Sequence, residues 1–479
     1  MKAAKVSLII ALLALSYLAT AQSTTKKYSP AQLKEDYQKF CFIFEKVHTG
    51  LYDYLSEDRW KKIKDSTMEL LNIPLNERDF FRLIAFQVAS IRNIHTRHGV
   101  TNKWIDSKSD IFPFHLRYFG DRLFVTESLL EGNTLPKGTE ILSINGNLPV
   151  NIRNEVFKFI PADGYNETAK QASLNESFSW YYYLFVDPSK EFKIQYKHAD
   201  GHVAELKTKG LKKSFRQLGF SMREKTKVTP IEFTIHTNIR TAYFRIDDSR
   251  LFKDSLHSYF ERLQKGNVKT LIIDLRGSGG IREEEQTVQL LSYLINKPFR
   301  FCDYVEIKNN DATVFDDHFT TRPYTDKVEE MRDHFEKNLK DSGRGYFLYT
   351  NESFFGIQQP ASIFYSGKIY ILTDGKNHSA STDFTSIAST LPNVSIVGEE
   401  TGGNYRSYIS GAMFGLVLPN TKIGAKVATW KSTLSIDEIP EQNGRGVFPD
   451  FPVSQTFDDF LAGRDTVKKF VFDLVAKEN

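Results

Sequence analysis

Three short apolar runs late in the chain constrain its fold more than any other feature. Residues 270–276, 364–373 and 394–397 are rich in Leu, Ile, Val and aromatic side chains. A short apolar run of this kind is what a strand needs when both of its faces are covered. A helix-like segment, 380–391, separates the last two runs. Another, 251–264, precedes the first and follows a strand candidate at 241–246. Strands alternating with helices pair in parallel through right-handed crossovers. The expectation is an α/β core over 231–479, in which 303–360, richer in charge and Asn, forms an insertion or cap.

That core is about half of the 479 residues, and roughly 150 residues per domain leaves room for one or two further units. Residues 29–93 read as helical. Ser29-Pro30 fits an N-cap followed by Pro at the first helical position, and Leu33, Tyr37, Phe40 and Phe44 recur at helical spacing. From residue 112 the texture changes to strands and turns. Gly120-Asp121 sits between two aromatic, β-branched runs and predicts a hairpin; Asn145-Gly146 makes a tight turn after the strand candidate at 139–144. The boundaries that follow are a helical domain at 22–105 and a β-rich domain at 106–230. Ahead of them, Lys2 and Lys5, an apolar stretch at 6–19 and Ala19-Thr20-Ala21 form a secretory signal peptide, 1–21. The apolar stretch is shorter than the roughly 20 residues of a spanning helix, and no later stretch could cross a bilayer. The expected product is soluble and exported, periplasmic or secreted.

Composition excludes several classes. Sixty-three basic residues against 59 acidic ones give a formal charge of +4, too balanced for a dedicated nucleic-acid binder. Cys41 and Cys302 are the only cysteines; they make either one bridge or two buried thiols, and no Cys-rich zinc site. His and acidic residues show no ligand spacing, so neither a metal nor an organic cofactor is implied.

The chemistry-bearing segments are those that end the apolar runs. Asp274-Leu275-Arg276-Gly277-Ser278-Gly279-Gly280 is a strand entering a glycine-rich turn, whose N–H groups can face an oxyanion. Without a Lys-Ser/Thr ending it is not a phosphate loop. Asn377-His378-Ser379-Ala380 lies between a strand and a helix, a junction that exposes a side chain at a helix N-terminus. The plainer reading makes Ser379 an N-cap. Gly398-Glu399-Glu400-Thr401-Gly402-Gly403-Asn404 is a second strand entering a glycine-rich loop.

In order and texture these three segments, with Gly446-Val447-Phe448-Pro449-Asp450 near the end, resemble the tail-specific or C-terminal processing serine peptidases, relatives of the tricorn core protease. The leading His48-Thr49-Gly50-Leu51-Tyr52 and the stretch 135–146, which resembles part of a PDZ domain, are similar to secreted bacterial members. The resemblance implies a crotonase/ClpP-like αβ catalytic core behind an N-terminal helical domain and a PDZ-like β domain. It implies a serine endopeptidase acting on peptides or proteins, with Ser379 as nucleophile and Ser381 as its competitor. Where many members carry a Lys base this chain has Asn404, so the tricorn-like His base falls to His95, in Asn93-Ile94-His95-Thr96. Relatives write that motif Asp-Gly-His-Thr. The orienting acid falls near Gly446, with Glu441 favoured over Asp437 and Glu438. The backbone N–H groups of Ala380 and of Gly279 or Gly280 make the oxyanion hole. Two other readings use the same motifs: a catalytically inactive peptide- or ligand-binding protein on this scaffold, and a hydrolase of non-peptide esters.

Overall fold

A computed structural model of the chain describes residues 26–131, 135–198, 200–217, 231–247, 249, 255–277, 281, 284–321, 328–350 and 356–478. The proposed signal peptide, 1–21, lies outside the described residues.

The chain opens with three helices, α1 (Pro30–Val47), α2 (Glu57–Leu70) and α3 (Glu77–Ile91). Helix α1 starts where the sequence predicts. Ser29 accepts from the Gln32 N–H while the Gln32 side chain returns to the Ser29 N–H, a reciprocal cap that satisfies two otherwise orphaned donors. The face carrying Leu33, Tyr37, Phe40, Phe44 and Val47 is fully buried. Asp36, also buried, accepts from the backbone of Asn420 and Thr421 and from the Thr421 hydroxyl, which ties α1 to a distant hairpin turn. Helix α3 is ended by Arg92, whose φ of 63° lies in the left-handed region that stops a helix.

Five antiparallel strands follow, β1 (Phe114–Phe119), β2 (Arg122–Ser128), β3 (Glu140–Ile144), β4 (Glu191–Lys197) and β5 (Val203–Lys209), paired in chain order. The expected hairpin is β1–β2. Asn145 and Gly146 both have positive φ, 49° and 79°, as the tight turn requires. That turn leads into the helix Pro149–Val156 rather than into a paired strand. A second helix, α4 (Thr168–Glu176), then carries the chain back toward the core.

The core sheet has six strands in chain order: β6 (Ile231–His236), β7 (Thr241–Ile246), β8 (Thr270–Asp274), β9 (Lys368–Thr373), β10 (Val394–Gly398) and β11 (Phe451–Pro452). The first pair is antiparallel and all the others are parallel. Its helices are α5 (Leu256–Lys265), α6 (Glu284–Ser292), α7 (Ala380–Ala388) and α8 (Thr466–Glu478). Side chains alternate across the sheet. Phe244, Leu271, Ile273 and Ile371 pack on one face with Phe260, Leu290 and Phe384 of α5, α6 and α7. Tyr243, Ile272, Tyr370 and Val397 pack on the other with Val467, Val471 and Val475 of α8. Both faces are covered, so neither can be polar, which is why the runs read as continuous. Each such side chain contributes about 1.5–3 kcal/mol when fully buried.

Within or beside the expected insertion at 303–360, Cys302–Ile307, Phe319–Thr321, Leu339–Asp341 and Phe347–Tyr349 are strands of a further sheet. Its backbone is the long hairpin Ser407–Val417 and Gly424–Leu434, flanked by Cys302–Ile307. Arg97–Gly99 also pairs on Gly424–Leu434, with Arg97 opposite Lys426 and Gly99 opposite Gly424. The hairpin thus carries the segment after α3 against the core. Cys41 and Cys302 are both free and buried, and burial pushes each thiol up to about 12. Of the two arrangements open from sequence, two buried thiols is the one found.

Candidate active site

Strands β8, β9 and β10 are adjacent and parallel, with Asp274 beside Leu372 and Thr373 beside Gly398. Their carboxyl ends therefore deliver the three chemistry-bearing segments to one edge, the usual location of a site in a parallel sheet.

Ser379 sits between β9 and α7 with φ 57° and ψ −139°. Backbone of that kind is costly for any residue but glycine and persists only where its surroundings enforce it. The enforcing groups are visible. The Asn377 side chain accepts from the Asp374 N–H (2.7 Å) and donates to the Leu275 carbonyl. The Asn377 carbonyl accepts from Gly402 N–H (2.7 Å), Gly403 N–H (3.1 Å) and the Thr382 hydroxyl (2.8 Å). One asparagine thus laces all three segments together. The Ser379 side chain makes no capping bond, so its hydroxyl is not occupied as an N-cap. Ser381 is different: it is fully buried, and its hydroxyl donates to the Ile281 carbonyl and accepts from the Ile281 N–H. Ala380 opens α7, where the first N–H groups have no intrahelical acceptor.

His95 is 6% exposed, and its loop is held by a buried frame. Asn93 accepts from the Thr96 N–H (2.8 Å) and donates to the Ile409 carbonyl (2.9 Å). Asp163 accepts on one oxygen from the Ile94 N–H (2.8 Å) and the Asn93 amide (3.2 Å), and on the other from the Asn404 N–H (3.1 Å). Burial nonetheless pushes the Asp163 carboxyl up to about 6. The Asn404 side chain donates to the Tyr54 hydroxyl at 2.5 Å. His48 completes the frame, with its Nε2 2.8 Å from the Thr96 hydroxyl. The imidazole of His95 lies 5.9 Å from that of His378, centroid to centroid. Burial, then the charges of His378 and Arg97, hold it far below the ordinary histidine range, at about 3, with the Ile409 backbone working the other way. It is therefore neutral at physiological pH. Its Nδ1 is buried without a hydrogen-bond partner. Catalytic hydrogen bonds are commonly long before substrate binds.

The other expected residues divide. Asp274 is wholly buried and bonded to Tyr243, Arg245 and Arg276, and Arg276 continues to Asp465. That network anchors the end of β8. Gly277, φ 101°, then turns the chain, its N–H donating to Asp374 at 3.0 Å. Gly279 and Gly280 lie outside the described residues. Glu441 is exposed on the turn Pro440–Gln442; Glu438 pairs at the surface with Arg406. Asp163 and Asp383 are buried as well. Asp383 lies one turn beyond Ser379, and burial and Glu284 push it well above the usual carboxylate range. Asp163, Asn377 and Arg97 carry no motif signal of their own. Only Asn377, inside a segment already singled out, was within reach of sequence reasoning. Among the described residues no cluster of three His, Cys, Asp or Glu side chains could hold a metal ion.

Parallel strands delivering a serine on a strained turn, beside a neutral imidazole and glycine-rich loops, are the arrangement of a serine-dependent hydrolase. The family model of peptidase family S41 matches residues 240–408. The matched segment holds Ser379 and the glycine-rich loops, and it supports a serine-type peptidase. The structure of mature CPAF has a TM-score of 0.63 to it at 15% identity, covering 94% of this chain and 99% of that one. Mature CPAF complexed with lactacystin gives the same score and identity over 93% and 100%. Likeness at that identity speaks for the fold. A comparison with curated protein sequences gives no match.

Proposed function

We propose that the chain is an exported serine endopeptidase in which Ser379 is the nucleophile and His95 the general base. Ser379 Oγ attacks the carbonyl carbon of a peptide bond while His95 takes its proton. The oxyanion accepts from the Ala380 N–H and from the glycine-rich turn at 277–280. The imidazolium gives its proton to the departing amine, and water, activated by the same ring, releases the acyl group and regenerates Ser379. Support for orientation of the base comes from the Asn93–Asp163 frame rather than from Glu441. Export rests on the leader-like residues 1–21. Among the described residues no helix is long and apolar enough to cross a membrane. The PDZ-like sheet β1–β5 would hold extended peptide by strand addition.

The single observation carrying this reading is the Ser379 backbone, φ 57° with no capping bond. A serine used only to cap α7 needs neither. The test is fluorophosphonate labelling. Wild type should be labelled, Ser379→Ala should not, and His95→Ala should be labelled at least 100-fold more slowly. Unlabelled wild type that still captures peptides would show a binding protein instead.

A further inference from the structure

The chain's surplus of positive charge lies on one hairpin. Residues 190–213 hold seven of the 63 basic residues, all of them lysine, and three of the 59 acidic ones. That surplus of four equals the formal +4 of the entire chain, so the remainder of the sequence is balanced.

The fold turns this surplus into a surface. Strands β4 and β5 pair over their full length, and Glu191, Lys193, Gln195 and Lys197 stand opposite Lys209, Lys207, Glu205 and Val203. Opposite residues share a face, and all eight of these are exposed. The intervening Phe192, Ile194 and Leu206 pack inward. Lys190 and Lys212, just beyond the two strands, are exposed as well. Across the sheet the same face changes character. Glu140 stands opposite both Lys197 and Phe124, and Phe124 is buried and stacked on Phe457 at 3.8 Å. The lysine end is the part left open.

Partners within the chain do not account for it. Lys193 reaches Glu205 at 2.9 Å and Lys212 reaches Asp110 at 2.7 Å; among the described residues Lys190, Lys197, Lys207 and Lys209 form no ion pair. Lys193 directly faces Lys207, an arrangement that costs stability. Lysine on an edge strand guards against strand pairing, which explains Lys207 and Lys209 on β5. It does not explain β4, which is paired on both sides. No arginine lies in 190–213. Lysine is a flexible point charge without the fork that grips a single carboxylate or phosphate, so it suits a plane of many anions. On the same face stands Val203, at 63% the most exposed large apolar side chain among the described residues. A soluble polyanion offers such a side chain nothing, whereas a lipid interface accepts it.

We infer that the open face of β4 and β5 docks on the headgroups of an anionic lipid bilayer. Lysine ammonium groups meet the lipid phosphates, Val203 enters the interface, and the contact is peripheral. The inference stands apart from the peptidase reading: it concerns where the chain is held, not what it cleaves.

The experiment is sedimentation with vesicles, using the chain without residues 1–21, whose apolar stretch would itself bind lipid. The vesicles are phosphatidylcholine alone or with about 30% phosphatidylglycerol. Wild type should bind the anionic vesicles at about 0.05 M salt, ignore the neutral ones, and be released at about 0.5 M. The combined variant Lys190→Gln, Lys197→Gln, Lys207→Gln and Lys209→Gln should bind roughly 100-fold more weakly or worse, since each lysine near such a surface contributes about fivefold. Lys61→Gln, Lys62→Gln, Lys265→Gln and Lys297→Gln, at exposed positions elsewhere, lower the net charge equally and should weaken binding less than about threefold. Matching urea midpoints of the three proteins show that the fold is kept, and the salt release of wild type needs no variant. No binding of wild type to anionic vesicles, equal binding to both kinds of vesicle, or equal loss in the two variants overturns the docking face. Retention on heparin without vesicle binding overturns it in favour of a soluble polyanion.

Discussion

Asp163→Asn is the sharpest perturbation of the frame around His95. The carboxylate takes two donors on one oxygen, Ile94 N–H and the Asn93 amide, and a third, Asn404 N–H, on the other. An asparagine can turn its oxygen to the first two, but its amide nitrogen then opposes the Asn404 N–H. Replacing one charge-assisted bond by two facing donors costs about 2–3 kcal/mol. Carried through to the imidazole, that displacement lowers kcat roughly 30- to 160-fold. Stability moves less. Burial pushes the folded carboxyl up to about 6 from the ordinary 3.8, so the fold favours the protonated form. That contribution is complete below the unfolded pKa and is lost as pH rises through about 6. At pH 7 the ionised, buried group thus costs about 3 kcal/mol relative to an ordinary carboxylate. Asparagine removes this cost, which roughly offsets the lost bond. The assay is kcat/KM from pH 4 to 8 beside urea unfolding of the same samples. In wild type, protonation below pH 6 removes an acceptor, and activity should fall there, since His95 itself stays neutral to about 3. Asp163→Asn should start low and be flat across that range. Wild-type activity with the acid limb intact in this variant would refute the reasoning.

Gly403→Ala would place a Cβ 2.7 Å from the Thr382 hydroxyl and 3.3 Å from His378 Cα, pressing on the Ser379 turn. A drop of tenfold or more in kcat with unchanged circular dichroism is expected. Ser381→Ala should keep full fluorophosphonate labelling and lose about 1–2 kcal/mol in urea unfolding, because its buried hydroxyl bonds both the N–H and the carbonyl of Ile281. Buried His48 is held at about 3, below its unfolded value near 6.5, so its contribution to stability is present at neutral pH and lost as pH falls from about 6.5 toward 3. His48→Gln can keep a bond to Thr96, and it should flatten the fall in stability between pH 6 and 4 by about 1.4 kcal/mol per pH unit, read from unfolding at each pH.

The parallel core was legible because its cause is local to each strand. A strand covered on both faces is apolar at consecutive positions, and 270–274, 368–373 and 394–398 all form strands where the runs lie. Helix α1 was legible for the same reason, since its cap and its buried stripe are written within 18 residues. Ser379 was only half legible. A serine before a helix serves equally as cap or nucleophile, and the choice is made by a backbone angle that the Asn377 bonds enforce. Asp163 was not legible at all, because its partners lie 69 and 241 residues away and no short-range pattern marks a residue whose bonds are all distant. The same distance explains Glu441: proximity in sequence to Gly446 did not turn its side chain inward.

By itself, the sequence determined the strands, the first helix and the segments that carry chemistry, since periodicity, capping and turn residues act over a few neighbours. Tertiary structure alone decided which of those groups meet. The hairpin 407–434 brings the His95 segment to the core, Asn377 binds three loops into one edge, and Asp163 joins the base loop to Asn404. These are contacts between distant parts of the chain, where burial sets protonation and where each polar group must find its partner in space rather than in sequence.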